Sequence, residues 1–193
     1  GALRDAGAEA AVLFPSPNFY YLTGASSHPS ERHLLLCVPA DGEPAILVPE
    51  LEAAGLRRAT WIDDLRLWPD EADPREHLDT LLSDLGIGGG RVLLDDHMWT
   101  AFAQDIRAAL PEASFGLAGE VLADLRVRKD ERELEALRAA GEVADDVVVE
   151  LRELGADVVG TTEAELAWEL ESHLREAGGE GASSTPSVAP GPN

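Results

Sequence analysis

The sequence contains almost no lysine and almost no cysteine. Lys129 is the only lysine among 15 basic residues, and Cys37 is the only cysteine. A single cysteine excludes an intramolecular disulfide and is typical of a reducing compartment, so we expect a cytoplasmic protein. Cys37 lies in an apolar run, residues 34–38, which predicts a buried small side chain rather than a nucleophile.

Long hydrophobic runs and clusters of positive charge are also absent. No apolar stretch reaches the roughly 18 residues of a membrane-spanning helix, so we expect no membrane association. The 15 basic residues face 37 acidic ones and are dispersed along the chain. Nucleic acid requires clustered lysine and arginine to neutralise its phosphates, so we expect no nucleic-acid partner.

Acidic residues dominate instead, and the formal net charge is -22. One interpretation is a surface for a basic partner. However, the acids are spread over both halves of the chain and over every predicted helix, with no acidic patch or tail. This distribution favours adaptation to high salt, where charges repel only over about 3 Å at 1 M ionic strength. We therefore predict an acidic, halophilic protein.

Residues 1–124 alternate between strand and helix patterns, which predicts an α/β domain with a mixed sheet and flanking helices. Asp41-Gly42 favours a tight hairpin between the second and third strands. Asp73 followed by proline, with Glu76 three residues after Asp73, predicts a capped helix start. The predicted strands are 10–14, 33–38, 45–49, 60–63, 91–95 and 113–117, and the predicted helical segments are 3–6, 19–24, 50–58, 74–85 and 98–110.

A glycine run, residues 88–90, invites comparison with loops that bind phosphate. Such loops lead into a helix, whose first amides complete the anion site. Here a predicted strand follows the glycines, so a flexible turn is the better interpretation.

Residues 125–193 have a different pattern, and we expect a second domain there, entered through a linker at 125–128. Asp130 with Glu133 caps a predicted helix that ends near Gly155, and Thr162 with Glu165 forms the capping box of another. Residues 183–189 are a possible strand. Neither helix carries an inward pair of acids or histidines, so we assign no catalytic residue and no metal ligand. The first helix is predicted to pack through a stripe of small and apolar residues: Leu134, Leu137, Gly141, Ala144, Val148 and Leu151.

Four segments resemble one known family in the correct order. Residues 18–24 resemble the N-x-x-Y-L-T-G signature in the N-terminal domain of Xaa-Pro dipeptidases (prolidases), Xaa-Pro aminopeptidases and creatinase. Residues 126–140 resemble the entry to the "pita-bread" catalytic domain of that family, and residues 160–163 resemble the G-x-T-E start of its second helix. Residues 188–193 are similar to the V-A-x-G-x-N segment that precedes its first active-site histidine.

The resemblance implies a creatinase-like N-terminal domain followed by an incomplete α+β pita-bread domain. It also implies a longer protein that is a dinuclear metallopeptidase cleaving the bond before proline, with two divalent ions, Mn²⁺, Co²⁺ or Zn²⁺. The five metal ligands of the family all follow the segment that matches Asn193. We therefore expect the chain itself to bind no metal and to be inactive. A creatinase-like amidinohydrolase without metal and a non-catalytic scaffold remain alternatives.

The resemblance also suggests a substrate-binding role for two residues, His28 and Arg32. In prolidase-like homodimers the loop after Y-L-T-G reaches toward the active site of the partner subunit. That loop is residues 26–32 here, and His28 and Arg32 would contact the carboxylate of an Xaa-Pro dipeptide or peptide. The alternative is an ordinary polar surface loop. We expect His33 to begin a strand, and the other three histidines to be partly exposed: His77, His97 and His173.

Overall fold

The computed structural model describes residues 1–184 and 186–188. The chain divides into two compact units, Gly1–Val127 and Arg128–Asn193. Each unit has its own secondary structure.

The first unit contains six strands and six helices among its residues, all of which the structure describes. The strands are β1 (Ala10–Leu13), β2 (Leu35–Pro39), β3 (Ala45–Pro49), β4 (Asp64–Trp68), β5 (Arg91–Leu94) and β6 (Ser114–Leu117). The helices are α1 (Ala2–Asp5), α2 (Pro17–Thr23), α3 (Glu50–Ala59), α4 (Pro74–Asp84), α5 (Thr100–Ala109) and α6 (Gly119–Val127).

All six strands form one mixed sheet in the order β4-β3-β2-β1-β5-β6. β2 is antiparallel to both of its neighbours, and the other adjacent pairs are parallel. The predicted hairpin is confirmed, since β2 pairs with β3 and Gly42 between them has a φ of 123° that glycine adopts easily. The predicted α/β class with a mixed sheet is confirmed as well.

Alternate residues of the central strands enter two separate hydrophobic clusters, one on each face of the sheet. On one face Leu13 and Leu36 pack with residues of α2, α3 and α6. On the other face Val12 and Cys37 pack with residues of α4 and α5. Because both faces are covered, the strands are apolar almost throughout, as expected for an α/β sandwich.

Two sequence predictions about the first unit are wrong in position, the fourth strand and the place of His33. The fourth strand is Asp64–Trp68 and not 60–63. Residues 119–127 form α6, a helix that was not predicted, and the boundary between the two units, after Val127, falls within the expected linker at 125–128. His33 does not begin a strand, because β2 starts at Leu35. The helix start at Asp73 is confirmed, but its carboxylate accepts from the Arg75 amide at 3.0 Å, and Glu76 makes no reciprocal cap.

The described residues of the second unit form α7 (Glu131–Leu154), a short 3₁₀ helix (Gly155–Val158) and α8 (Glu163–Glu176). Both predicted capping boxes are present, Asp130 with Glu133 and Thr162 with Glu165. The predicted packed stripe on α7 is largely wrong, since Leu137 and Val148 are exposed. A strand was also predicted at 183–189, and its described residues form no strand; Thr185 and Ala189 lie outside the described residues. The last four residues of the motif at 188–193 lie outside them as well.

Cys37 is fully buried, as predicted, and burial raises the pKa of its thiol to about 12. In the described part of the chain, no helix has the length and apolar character needed to cross a membrane.

Candidate functional site

The candidate site lies at one edge of the sheet, where five of the six strands have their carboxyl ends. β1, β3, β4, β5 and β6 all run in the same direction, and β2 runs in the opposite direction. The segments that follow β1, β4 and β5 therefore emerge beside the segment that precedes β2. Ligands of open α/β sheets bind outside this edge.

Helix α2 connects β1 to the loop that contains the predicted site, and three residues of its N-x-x-Y-L-T-G segment have a structural role. Phe19 is fully buried in the core. The buried Thr23 hydroxyl donates to the Phe19 carbonyl at 2.8 Å and accepts from the Ala25 amide at 3.0 Å. Gly24 ends the helix with a φ of 74°, a left-handed conformation that favours glycine. The motif thus fixes where the chain leaves α2.

Residues 25–34 form neither helix nor strand. His28 lies in the middle of this loop and is exposed. Arg32 lies near its end and is half-buried, with its guanidinium against the Asp70 carboxylate: Nη1 to Oδ1 is 2.7 Å and Nη2 to Oδ2 is 3.3 Å. This is the paired geometry by which arginine recognises carboxylates. The structure therefore places Arg32 on an acidic partner of the chain itself, while its predicted contact with substrate stays a prediction.

His33 anchors the end of the loop. Its Nε2 lies 2.9 Å from Oδ2 of Asp105 on α5, and its ring meets the Phe102 ring edge to face at 4.6 Å. The indole of Trp68 donates to the His33 carbonyl at 2.9 Å. The backbone that carries Arg32 is therefore held by a strand end on one side and by a helix on the other.

An aromatic cluster continues from His33 along the same edge. The Phe14 ring lies 5.2 Å from that of Phe102 and 5.5 Å from that of Trp99. Trp99 is half exposed, whereas the two phenylalanines are buried. The buried rings pack against one another and support this edge, and a precise binding surface requires such packed support.

A buried carboxylate holds the beginning of α2 at this edge. Asp95, which follows β5, accepts from the Ser16 hydroxyl at 2.6 Å and from the His97 amide at 2.8 Å. The Ser16 oxygen in turn accepts from the amides of Asn18 and Phe19, so it caps α2. Ser16 caps α2 and has no histidine partner. The Ser16–Asp95 pair therefore has a structural role and is not a catalytic nucleophile with its base.

The described residues provide binding groups and no metal centre. Over residues 1–184 and 186–188, no group of three or more His, Cys, Asp or Glu side chains is placed to hold a metal ion. The glycine run is a bend and not the start of a helix, and its Gly88 and Gly90 amides donate to the Glu9 carboxylate at 3.1 and 2.9 Å. This internal anion takes the position that a bound phosphate would need.

The remaining histidines are where the sequence placed them. His97 is exposed, and His77 on α4 and His173 on α8 are half-buried. None of their side chains belongs to the aromatic cluster. Sequence reasoning missed Asp70 and Asp105 as partners of the loop. No spacing could indicate them, because they are 38 and 72 residues from Arg32 and His33 respectively.

The fold and this edge together define an N-terminal domain of the creatinase type. Residues 1–128 match the Creatinase/Prolidase N-terminal domain, and the chain belongs to that family. It is 34% identical over 174 residues to the probable dipeptidase PepE of Mycobacterium bovis, covering 88% of this chain and 44% of that protein.

Solved structures show the same relationship. The dipeptidase of Pyrococcus horikoshii has a TM-score of 0.77 and 31% identity, covering 91% of this chain and 48% of that one. The recombinant prolidase of Thermococcus sibiricus has a TM-score of 0.83 and 27% identity, covering 95% of this chain and 50% of that one. The chain spans about half the length of the curated relatives that it matches.

Proposed function

We propose that this chain is the N-terminal half of a cytoplasmic peptidase that removes a residue preceding proline, an Xaa-Pro dipeptidase or aminopeptidase. The supporting observation is the 174-residue match to a probable dipeptidase, which is too long to lie within the first unit alone. The relatives therefore share sequence with both units. A domain that had been reused without the peptidase half would be expected to match only over residues 1–127.

In this proposal the chemistry belongs to the half that the chain does not contain. Two divalent ions, Mn²⁺, Co²⁺ or Zn²⁺, would supply activated water there. The donor set for such a centre does not fit the described residues, which contain no suitable cluster. In this proposal none of the described residues is a metal ligand or a catalytic residue.

The role proposed for the first unit is to position substrate at the active site of a homodimer. Arg32 would bind the free carboxylate of an Xaa-Pro dipeptide, and the exposed His28 would contribute a second contact from the same loop. The support is the paired Arg32–Asp70 geometry, which shows that this guanidinium already accommodates a carboxylate. Its position at the carboxyl edge of the sheet is also where ligands of such folds bind.

The experiment is an assay of the proposed full-length protein with Ala-Pro, Gly-Pro and creatine, with and without Mn²⁺. Metal-dependent hydrolysis of the dipeptides is expected. Hydrolysis of creatine instead would establish the amidinohydrolase alternative, and no hydrolysis of any of the three would favour a scaffold. The 193-residue chain is expected to hydrolyse neither dipeptide, and calorimetry should detect no micromolar metal site in it.

The roles of the two loop residues are tested in the same assay. Arg32→Gln is expected to raise KM for Ala-Pro about tenfold or more with a smaller effect on kcat, because a charged hydrogen-bonded contact contributes about 1.5–3 kcal/mol. His28→Ala is expected to raise KM less. Arg57→Gln, which removes an exposed arginine on α3, is the matched control.

A further inference from the structure

We propose that Asp70 is a specificity-determining residue that acts as a built-in surrogate for the carboxylate of the substrate. It occupies the guanidinium of Arg32 until a free carboxylate displaces it. The inference rests on the carboxylate-binding role proposed above for Arg32. It adds a residue that touches no substrate and yet sets the concentration at which substrate binds.

The geometry of the pair is suited to exchange with a substrate carboxylate. Two guanidinium nitrogens of Arg32 each meet a different oxygen of Asp70, at 2.7 and 3.3 Å. A dipeptide carboxylate presents the same two oxygens in the same plane, so it competes for the same two donors. A carboxamide has one oxygen and no charge, and it competes poorly.

The backbone segments that carry the two residues of the pair are held in place. Arg32 precedes His33, whose ring contacts Asp105 and whose carbonyl accepts from Trp68. Asp70 follows Trp68 by two residues. Besides the pair itself, the hydrogen bond from the Trp68 indole to the His33 carbonyl joins the segment that carries Arg32 to the segment that carries Asp70. Displacement of Asp70 requires side-chain rotation and no movement of the sheet.

The pair is also exposed enough to open. The Arg32 side chain is 29% exposed and that of Asp70 is 52% exposed. Ion pairs in such positions are weak, because water screens them and both side chains lose freedom in forming them. The Asp70 carboxylate can therefore be exchanged for another, unlike a buried charge.

Glu71 provides a matched control for the charge of Asp70. It is the next residue, it is exposed, and it makes no ion pair with any residue that the structure describes. Glu71→Gln and Asp70→Asn remove the same charge from almost the same place. Only Asp70→Asn weakens the contact with Arg32.

The test measures KM and kcat of the proposed full-length protein with Ala-Pro and with Ala-Pro-amide. Asp70→Asn is expected to lower KM for Ala-Pro about two- to fivefold at unchanged kcat, the range that corresponds to an exposed ion pair. KM for the amide should not change. Glu71→Gln should have the KM of the unaltered protein. Asp70→Glu keeps the negative charge, so its KM for Ala-Pro should be close to that of the unaltered protein.

The inference is overturned if Asp70→Asn and Glu71→Gln change KM equally, or if the amide responds as the dipeptide does. If Arg32→Gln raises KM in that same experiment, the carboxylate-binding role of Arg32 stands and only the role of Asp70 is lost. If Arg32→Gln leaves KM unchanged, both the carboxylate-binding role of Arg32 and the role of Asp70 are refuted.

A second measurement does not depend on catalysis. In the 193-residue chain, titration of Gly-Pro should shift the Arg32 Nε–Hε resonance at about two- to fivefold lower concentration in Asp70→Asn than in the unaltered chain. Gly-Pro-amide should produce no shift. Equal titration curves for the two chains, or no response of Arg32 to Gly-Pro in either, would refute the surrogate role even if the full-length protein were inactive.

Discussion

Arg126 Nη1 donates a hydrogen bond to Asn18 Oδ1 at 2.8 Å, across 108 residues of sequence. Both residues begin motifs, Asn18 the N-x-x-Y-L-T-G segment and Arg126 the segment that leads into the second unit. The Arg126 guanidinium also lies 5.9 Å from the centre of the Tyr21 ring. The end of α6 is thereby joined to α2, and α2 leads into the candidate site.

Arg126→Ala is expected to destabilise the first unit. Asn18 is 5% exposed, so loss of this donor leaves a buried amide oxygen without the contact, at a cost of about 1–3 kcal/mol. Urea unfolding in molar KCl, followed by circular dichroism, measures the change in the free energy of unfolding.

Arg128→Ala is the matched control, because it removes the same charge from an exposed residue two positions further on. A double-mutant cycle with Asn18→Ala isolates the pair. Additive effects of Arg126→Ala and Asn18→Ala would contradict a direct contribution of this hydrogen bond.

Arg75→Gln is expected to raise the pKa of Asp73. The side-chain hydrogen bonds from Arg75, at 2.9 and 2.7 Å, together with its backbone amide, lower the pKa of that carboxyl to about 2. A carboxyl whose folded pKa is lowered stabilises the fold above its unfolded pKa, and this stabilisation is lost as pH falls through about 2.

A ¹³C NMR titration of the Asp73 carboxyl measures this shift. With Arg75→Gln the midpoint should move up toward the ordinary value of 3.8. The remote Arg57→Gln should leave it where it is. An unchanged midpoint in Arg75→Gln would show that the backbone amide alone sets the Asp73 pKa.

Cys37 is expected to be inert in the folded chain. Cys37 lies on β2 and is fully buried in the hydrophobic cluster under α4 and α5, and burial raises the pKa of its thiol to about 12, so almost no thiolate is present at neutral pH. A disulfide reagent at neutral pH should label it only after unfolding in urea. Prompt labelling of the folded chain in molar salt would contradict the packing described for this face of the sheet.

The fold is expected to require salt. With a net charge of -22, the helices and loops repel one another when charges are unscreened, and about 1 M salt shortens the range of repulsion to about 3 Å. Circular dichroism should show structure at molar KCl and loss of structure toward millimolar KCl.

A neutral osmolyte is the control for this experiment, because it favours compact states without screening charge. Equal unfolding midpoints at low and high KCl would contradict the high-salt interpretation. They would leave the alternative of an acidic surface for a basic partner.

Local signals in the sequence were sufficient for most elements of the fold. Asp41-Gly42 predicted the hairpin of β2 and β3, and the two capping boxes predicted the starts of α7 and α8. These features depend on residues within a few positions of one another. Local backbone geometry therefore determines them before any packing occurs.

The errors arose where the surroundings override local preference. β4 is an edge strand, so Asp64 and Arg66 pair with each other on its half-exposed side and interrupt the apolar pattern that the prediction relied on. The first residue of α6 is Gly119, a poor helix former, yet Val121 and Leu122 are buried in the core and stabilise the helix.

The sequence by itself determined the class of fold, the family resemblance and the two residues proposed to meet substrate, His28 and Arg32. Only the tertiary structure decided what holds them, namely Asp70 beside Arg32 and Asp105 beside His33. The reason is that strand order, and not sequence distance, brings residues to the same edge of a sheet. β2 and β4 both pair with β3, and β2 runs in the opposite direction to β4. Arg32, which precedes β2, and Asp70, which follows β4, therefore lie close enough to form an ion pair.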